Sequence, residues 1–222
     1  MNPALVRLLQ LSSPVLPVGA YTYSQGLEWA AEASVVKNES DALAWIGDCL
    51  ELGIGRFEAV YLAHMLGAWE QGDITRLAEL DAEFLASRES AELRAETLQM
   101  GHSLAKLLND LAECSDAGLE GFPNPSFPLA WSYAADHWSI PAEEAVAGYL
   151  WAWAENQVMA ALKAVPLGQT AGQRLLFALG KRLPDLAAQA IAAPLESTHN
   201  FLPAFAIASS LHETQYTRIF RS

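Results

Sequence analysis

Residues 91–113 read AELRAETLQMGHSLAKLLNDLAE. Leu93, Thr97/Leu98, Met100, Leu104, Leu107/Leu108 and Leu111 recur every three or four positions, while Glu92, Glu96, Gln99, Ser103, Lys106, Asp110 and Glu113 fill the other side. That spacing sets one face of a helix toward a core and the other toward water. The same period runs outward in both directions. Residues 73–88 open on Asp73 as an N-cap and set Leu77, Leu80, Phe84 and Leu85 on one stripe. Residues 41–70 predict one long helix or two abutting ones, weakened at Gly53 and Gly55. Residues 141–165 open with Pro141 in a first turn and stop before Pro166. Val146, Tyr149, Leu150, Trp151, Trp153, Val158, Met159 and Leu162 leave that segment little polar surface, so it predicts a central, mostly buried helix. Shorter helices are expected at 24–34, 127–138, 171–183, 185–193 and 203–212, with joints at 12–20, 118–128 and 166–169. No alternating run flanked by hairpin dipeptides predicts a strand. The expectation is an all-α, single-domain bundle of about ten helices over residues 1–222.

Composition agrees with a packed domain and removes several functions. Of 222 residues, 52% are hydrophobic and 18% charged, and the mean hydropathy is +0.13, a profile that can bury a sizeable core. The net charge is −13, which repels nucleic-acid phosphates and anionic membrane surfaces alike. The charge is polarised, because residues 107–162 carry no Lys or Arg and residues 163–222 are net +3. Cys49 and Cys114 are too few for a disulfide framework and predict buried free thiols in a reducing compartment. The opening MNPALVRLLQLSSPVLPVGA imitates a signal peptide, but its apolar stretch breaks at Gln10, Ser12 and Pro14. A cytoplasmic location is expected.

Motifs for catalysis are weak. Gly101-His102-Ser103-Leu104-Ala105 imitates a nucleophile elbow, and Ser103 to Lys106 matches S-x-x-K. A serine hydrolase using Ser103 is thereby an alternative, yet an elbow needs a strand before the serine, and here a helical period runs straight through. His64, His102, His137, His199 and His212 show no H-x-x-x-H or H-x-H spacing; His212-Glu213 near the C-terminus sets a histidine beside an acid. No phosphate-binding G-x-x-x-x-G-K-[ST] occurs. The expectation is no catalytic residue, no bound cofactor and no metal site.

What remains suits partners. The segment 12–28 carries two tyrosines and glycines and leads into a helix with Ser24 as its expected N-cap. Lys163 sits in the last turn before Pro166, where it can offset the helix dipole or reach an acidic partner. The final HETQYTRIFRS, residues 212–222, mixes Tyr216, Ile219 and Phe220 with Arg218 and Arg221, the composition of an interface anchor. Binding of this tail to a partner is expected in preference to docking on its own chain.

Four blocks, SSPVLPVGAYTYSQGLE (12–28), RAETLQMGHSLAKLL (94–108), YLWAWAENQVMAALKAVPLGQTAGQRLL (149–176) and HETQYTRIFRS (212–222), resemble the UreF family of urease accessory proteins, in the family's order. Trp131 and Trp138 are bulkier than the resemblance leads one to expect. The resemblance implies an all-α, homodimer-forming chaperone without catalytic activity. It would join accessory protein D/H and the GTPase accessory protein G on urease apoprotein, so that nickel is inserted while the partners handle nickel and GTP. Carried over, His212, Glu213, Tyr216, Arg218, Phe220 and Arg221 would face D/H, and Tyr23, Gln25, Glu28, Lys163 and Gln169 would face the GTPase. A helical adaptor unrelated to urease is the other alternative.

Overall fold

The Asn2 side chain accepts a hydrogen bond from the Ala4 amide (3.1 Å), and Pro3 supplies a preset first turn, so the chain opens with a helix. The computed structural model describes residues 2–111 and 118–222. Cys114 and Glu113 fall outside them. Among the described residues there is no strand. Eleven α-helices follow in order: α1 (Pro3–Leu11), α2 (Leu27–Glu32), α3 (Glu39–Asp48), α4 (Glu58–Glu70), α5 (Ile74–Ala86), α6 (Ala91–Asp110), α7 (Phe127–His137), α8 (Ala142–Ala164), α9 (Gln169–Gly180), α10 (Leu183–Ala192) and α11 (Pro203–His212). The all-α expectation holds.

The boundaries follow local chemistry. Asp73, Ser90 and Ser126 cap α5, α6 and α7 by accepting the amides of Arg76, Leu93 and Leu129. The weak point at Gly53 and Gly55 is a π-helical turn, Cys49–Ile54, that separates α3 from α4. Helix α8 is central, bordering α1, α2, α3, α4, α7, α9 and α10. Its Met159 is nevertheless 44% exposed, where a buried position was expected.

Two expectations need correction. Residues 3–11 form a helix where none is expected, because Leu8, Leu9 and Leu11 followed by prolines imitate a leader. Helix α2 starts at Leu27 rather than 24, and Gly26, not Ser24, holds the N-cap position. Gln25 (φ 51°) and Gly26 (φ 81°) are both left-handed, so the helix cannot extend backward. A Cβ on Gly26 would lie 2.8 Å from the Ser209 amide nitrogen, so this glycine also lets α11 touch the start of α2. Ser24 still accepts the Glu28 amide through its hydroxyl (3.3 Å).

Of the two tryptophans noted above, Trp131 fits the core, while the indole N–H of Trp138 is buried without a partner among the described residues. Trp131 is fully buried, packs edge-on to Tyr149 and donates its indole N–H to the Ala145 carbonyl (3.2 Å). Trp138 lies under the Arg7 guanidinium at 5.5 Å. Cys49 is buried and free; burial pushes its thiol up to about 12, which leaves it unreactive.

Candidate interaction site

The tail folds back onto its own body, along a seam made by α2, the start of α6 and the loop before α2. Glu28 is the pivot. It is buried, and its carboxylate accepts from the backbone amides of Ile219 (2.7 Å) and Phe220 (3.0 Å) and from His212 Nε2 (3.0 Å). His212 is itself fully buried, and its Nδ1 lies 2.8 Å from a Glu92 carboxylate oxygen. Arg218 meets the other oxygen of Glu92 at 2.6 Å. Glu213 accepts the Ala91 amide (2.9 Å), placing a negative charge at the positive end of α6.

The last two residues finish the seam. The Arg221 amide donates to the Thr22 carbonyl (2.8 Å). The Ser222 carbonyl accepts from the Ser24 amide (2.5 Å), the Gln25 amide (3.0 Å) and the Ser24 hydroxyl (2.7 Å). The Ser222 hydroxyl donates to Glu96 (2.9 Å), whose other oxygen accepts from Gln25 Nε2 (2.8 Å). The Gln25 carbonyl in turn accepts the Trp153 indole N–H (2.8 Å). Phe220 is buried beneath the Lys163 ammonium, which lies 5.3 Å from its ring.

Beneath this seam lies a cavity of about 230 Å³ between the loop 12–21, α6 and α8. Its floor is a buried polar chain. Arg88 pairs with Glu58 at 2.6 Å, and the Tyr149 hydroxyl donates to the other Glu58 oxygen (2.7 Å). Burial pushes the Glu96 carboxyl up to about 7, only partly countered by the bonds from Gln25 and Ser222. Burial also raises Tyr149 far above the usual phenol range, with Glu58 adding to it.

Each expected site residue can now be placed. Tyr23, Gln25 and Glu28 are buried under the tail rather than displayed, so in this conformation they position the surface and do not form it. Tyr21 is 62% exposed, so only one of the two loop tyrosines packs inward. Lys163 joins the seam through Phe220, and exposed Gln169 opens α9 outside the hydrogen-bond network. On the tail, His212 and Phe220 are buried, Glu213, Arg218 and Arg221 are exposed, and Tyr216 is fully exposed. The expected preference for a partner over self-docking is therefore corrected for the chain alone: two backbone amides and a histidine find a buried carboxylate within it. Glu92 and Glu96 were assigned to the water-facing side of α6, but Glu96 is buried and both belong to the seam.

The weak catalytic and metal motifs resolve into packing. Ser103 lies mid-way along α6, and its hydroxyl accepts from Gln99 Nε2 one turn back (3.1 Å); no strained turn displays it. Gly101 is required because a Cβ there would sit 2.1 Å from the Pro125 carbonyl oxygen. Glu28 and Glu92 lie against opposite nitrogens of His212, so no single point brings an ion to both with the ring, and among the described residues no group of three His, Cys, Asp or Glu is placed to hold a metal. No helix among them is long and apolar enough to cross a membrane.

Known proteins match this chain over its whole length. A family model, UreF, matches residues 36–180. A urease accessory protein UreF from Azoarcus sp. (strain BH72) is 58% identical, covering 100% of this chain and 99% of its own. Its namesake from Dechloromonas aromatica (strain RCB) is 57% identical over 98% of this chain and 97% of its own. The chain belongs to the UreF family. A further namesake, from Methylobacillus flagellatus, is 48% identical over 99% of this chain and 98% of its own. These relatives are named as accessory proteins, not enzymes. The UreF model ends at the last residue of α9. The loop 12–28 and the tail lie outside it and inside the match to the Azoarcus relative, which covers all of this chain.

Proposed function

We propose that this protein is a chaperone of urease maturation that promotes nickel insertion by holding partners together. Its partners on this reading are accessory protein D/H, the GTPase accessory protein G, urease apoprotein and a second copy of the chain, in the cytoplasm. Nickel and GTP are handled by the partners, and the chain regulates or couples the GTPase step. The single observation that carries the reading is the two-sided build of the tail. Its inner side is fixed by Glu28, Glu92 and Glu96. Its outer side, with the end of α11, exposes Ile207 (56%), Leu211 (42%), Tyr216 (103%) and Ile219 (66%), beside Arg218. Apolar and aromatic groups with arginine, held on a rigid base, favour a protein interface, and D/H is the partner assigned to it. Exposed Lys163 and Gln169 are assigned to the GTPase, with Tyr23, Gln25 and Glu28 shaping that side from beneath.

The double variant Tyr216→Ala/Ile219→Asp tests this with the seam's own hydrogen bonds left in place. Capture of D/H in a pull-down should be lost while the helical circular dichroism and melting temperature stay as in the parent; deletion of residues 212–222 should lose capture as well. Undiminished capture by the double variant would contradict the assignment.

A further inference from the structure

His212 is fully buried, and each of its ring nitrogens lies against a carboxylate oxygen: Nε2 against Glu28 (3.0 Å) and Nδ1 against Glu92 (2.8 Å). A neutral imidazole has one N–H and one lone pair, so it can donate to one of the two acids and not to both. The other neighbours of each acid decide where the second proton sits. Glu28 also accepts the Ile219 and Phe220 amides, and Glu92 also accepts from the Arg218 guanidinium (2.6 Å). All three of those groups are donors, so both acids are held as carboxylates. The second proton therefore belongs to the ring.

We propose that His212 docks as an imidazolium, which makes closure of the tail a proton-uptake step and turns the tail into a pH-sensitive latch that loosens as pH rises.

Charge balance agrees. With the ring protonated, Glu28 and Glu92 face His212 and Arg218, and the cluster is neutral. A neutral ring would leave a net negative charge and set a lone pair against a carboxylate where water does not reach. The other charged groups of the elements packed here turn elsewhere. Glu32 on α2 accepts from Gln215, Arg94 on α6 donates to the Leu85 carbonyl, and Glu213 accepts the Ala91 amide. Arg221 reaches the Tyr23 hydroxyl. When the tail lifts, the ring returns to water and keeps its proton only below about pH 6.5. Docking is thus strongest below that pH and weakens by up to about tenfold per unit above it, until the docked ring itself titrates. Glu96, beneath Ser222 and pushed up to about 7 by burial, is a second titrating group under the tail. Tyr216 and Ile219 ride on the same segment, so on the D/H reading the latch also governs when they are presented; the latch itself is read on the chain alone.

Nitrogen-15 NMR of the imidazole rings in the full chain is the direct test. At about pH 7.5, a unit above the ordinary histidine value, His212 should carry protons on both ring nitrogens while the exposed His102 and His199 are neutral. Hydrogen exchange gives the consequence for the tail. Protection of the Ile219 and Phe220 amides, corrected for the intrinsic rate, should fall about tenfold between about pH 7 and about pH 8 while α8 stays protected. His212→Gln, which cannot take the proton, should abolish that fall, and Glu96→Gln should keep it. The ring signals of the unsubstituted chain decide the matter whatever either variant's folding. A single neutral tautomer at His212 near pH 7.5, protection at 219–220 that ignores pH, or a fall that survives His212→Gln or vanishes in Glu96→Gln would each overturn the proposal.

Discussion

Removing the Glu28 carboxylate strands three donors at once: His212 Nε2 and the amides of Ile219 and Phe220. Glu28→Ala is therefore expected to release the tail at a cost of about 3 kcal/mol. Hydrogen exchange at residues 219–220 should become fast while the amides of α8 stay protected; retained protection at 219–220 would contradict the role given to Glu28. Glu96 gives a second, pH-dependent expectation. Its carboxyl is raised to about 7 in the folded chain, so the folded state holds that proton more tightly than the unfolded state does. Its contribution is thus most favourable at low pH, declines as pH rises from about 4.5 to about 7, and is flat above, an effect of about 3 kcal/mol. Glu96→Gln keeps a neutral side chain that can bond Gln25 and Ser222. Its stability in urea should match the parent near pH 4 and exceed it above pH 7; parallel curves would contradict the buried charge. Glu28 was visible in the sequence as part of a motif, and Glu92 and Glu96 were not recognised. Two acids one turn apart on a helix carry the same pattern as a solvated face, and what covers these two is a segment 120 or more residues further along the chain.

Helix α6 meets α7 at Gly101, and no larger residue fits there. Gly101→Ala would bring a methyl within 2.1 Å of the Pro125 carbonyl oxygen and 2.7 Å of Ser126 backbone. It would push apart the contact where Thr97 accepts the Phe127 amide and Asp81 the Ser126 amide. The expected loss is about 3 kcal/mol, read as a lower melting temperature. Gly67→Ala is the control, since nothing lies within 4 Å of a Cβ there, and it should stabilise α4 by up to about 1 kcal/mol. Equal effects at the two sites would refute the close-packing role of Gly101. At this scale much was legible. The cap at Asp73, the weak point at Gly53 and Gly55 and the span of α11 follow from local propensity and period, while Pro141 precedes α8 rather than lying in its first turn. Helix α1 and the start of α2 escaped, because a leucine run before prolines fits a leader equally well, and because the left-handed Gln25–Gly26 pair answers to α11 rather than to its neighbours in sequence.

Taken whole, the molecule sets a central helix under a strap formed by its own last residues, with partner-like groups on the outside of that strap. The all-α class came from periodicity, while the position of the tail depended on buried acids that meet it only in the folded chain. The central claim is that this UreF-family chain acts through surfaces, as an accessory to urease maturation. Urease apoprotein supplied with nickel, bicarbonate, GTP, D/H and G, with and without this chain, tests that most directly. Urea hydrolysis should rise strongly when the chain is present and fall back with the Tyr216→Ala/Ile219→Asp variant; the same urease activity without the chain as with it would contradict the account.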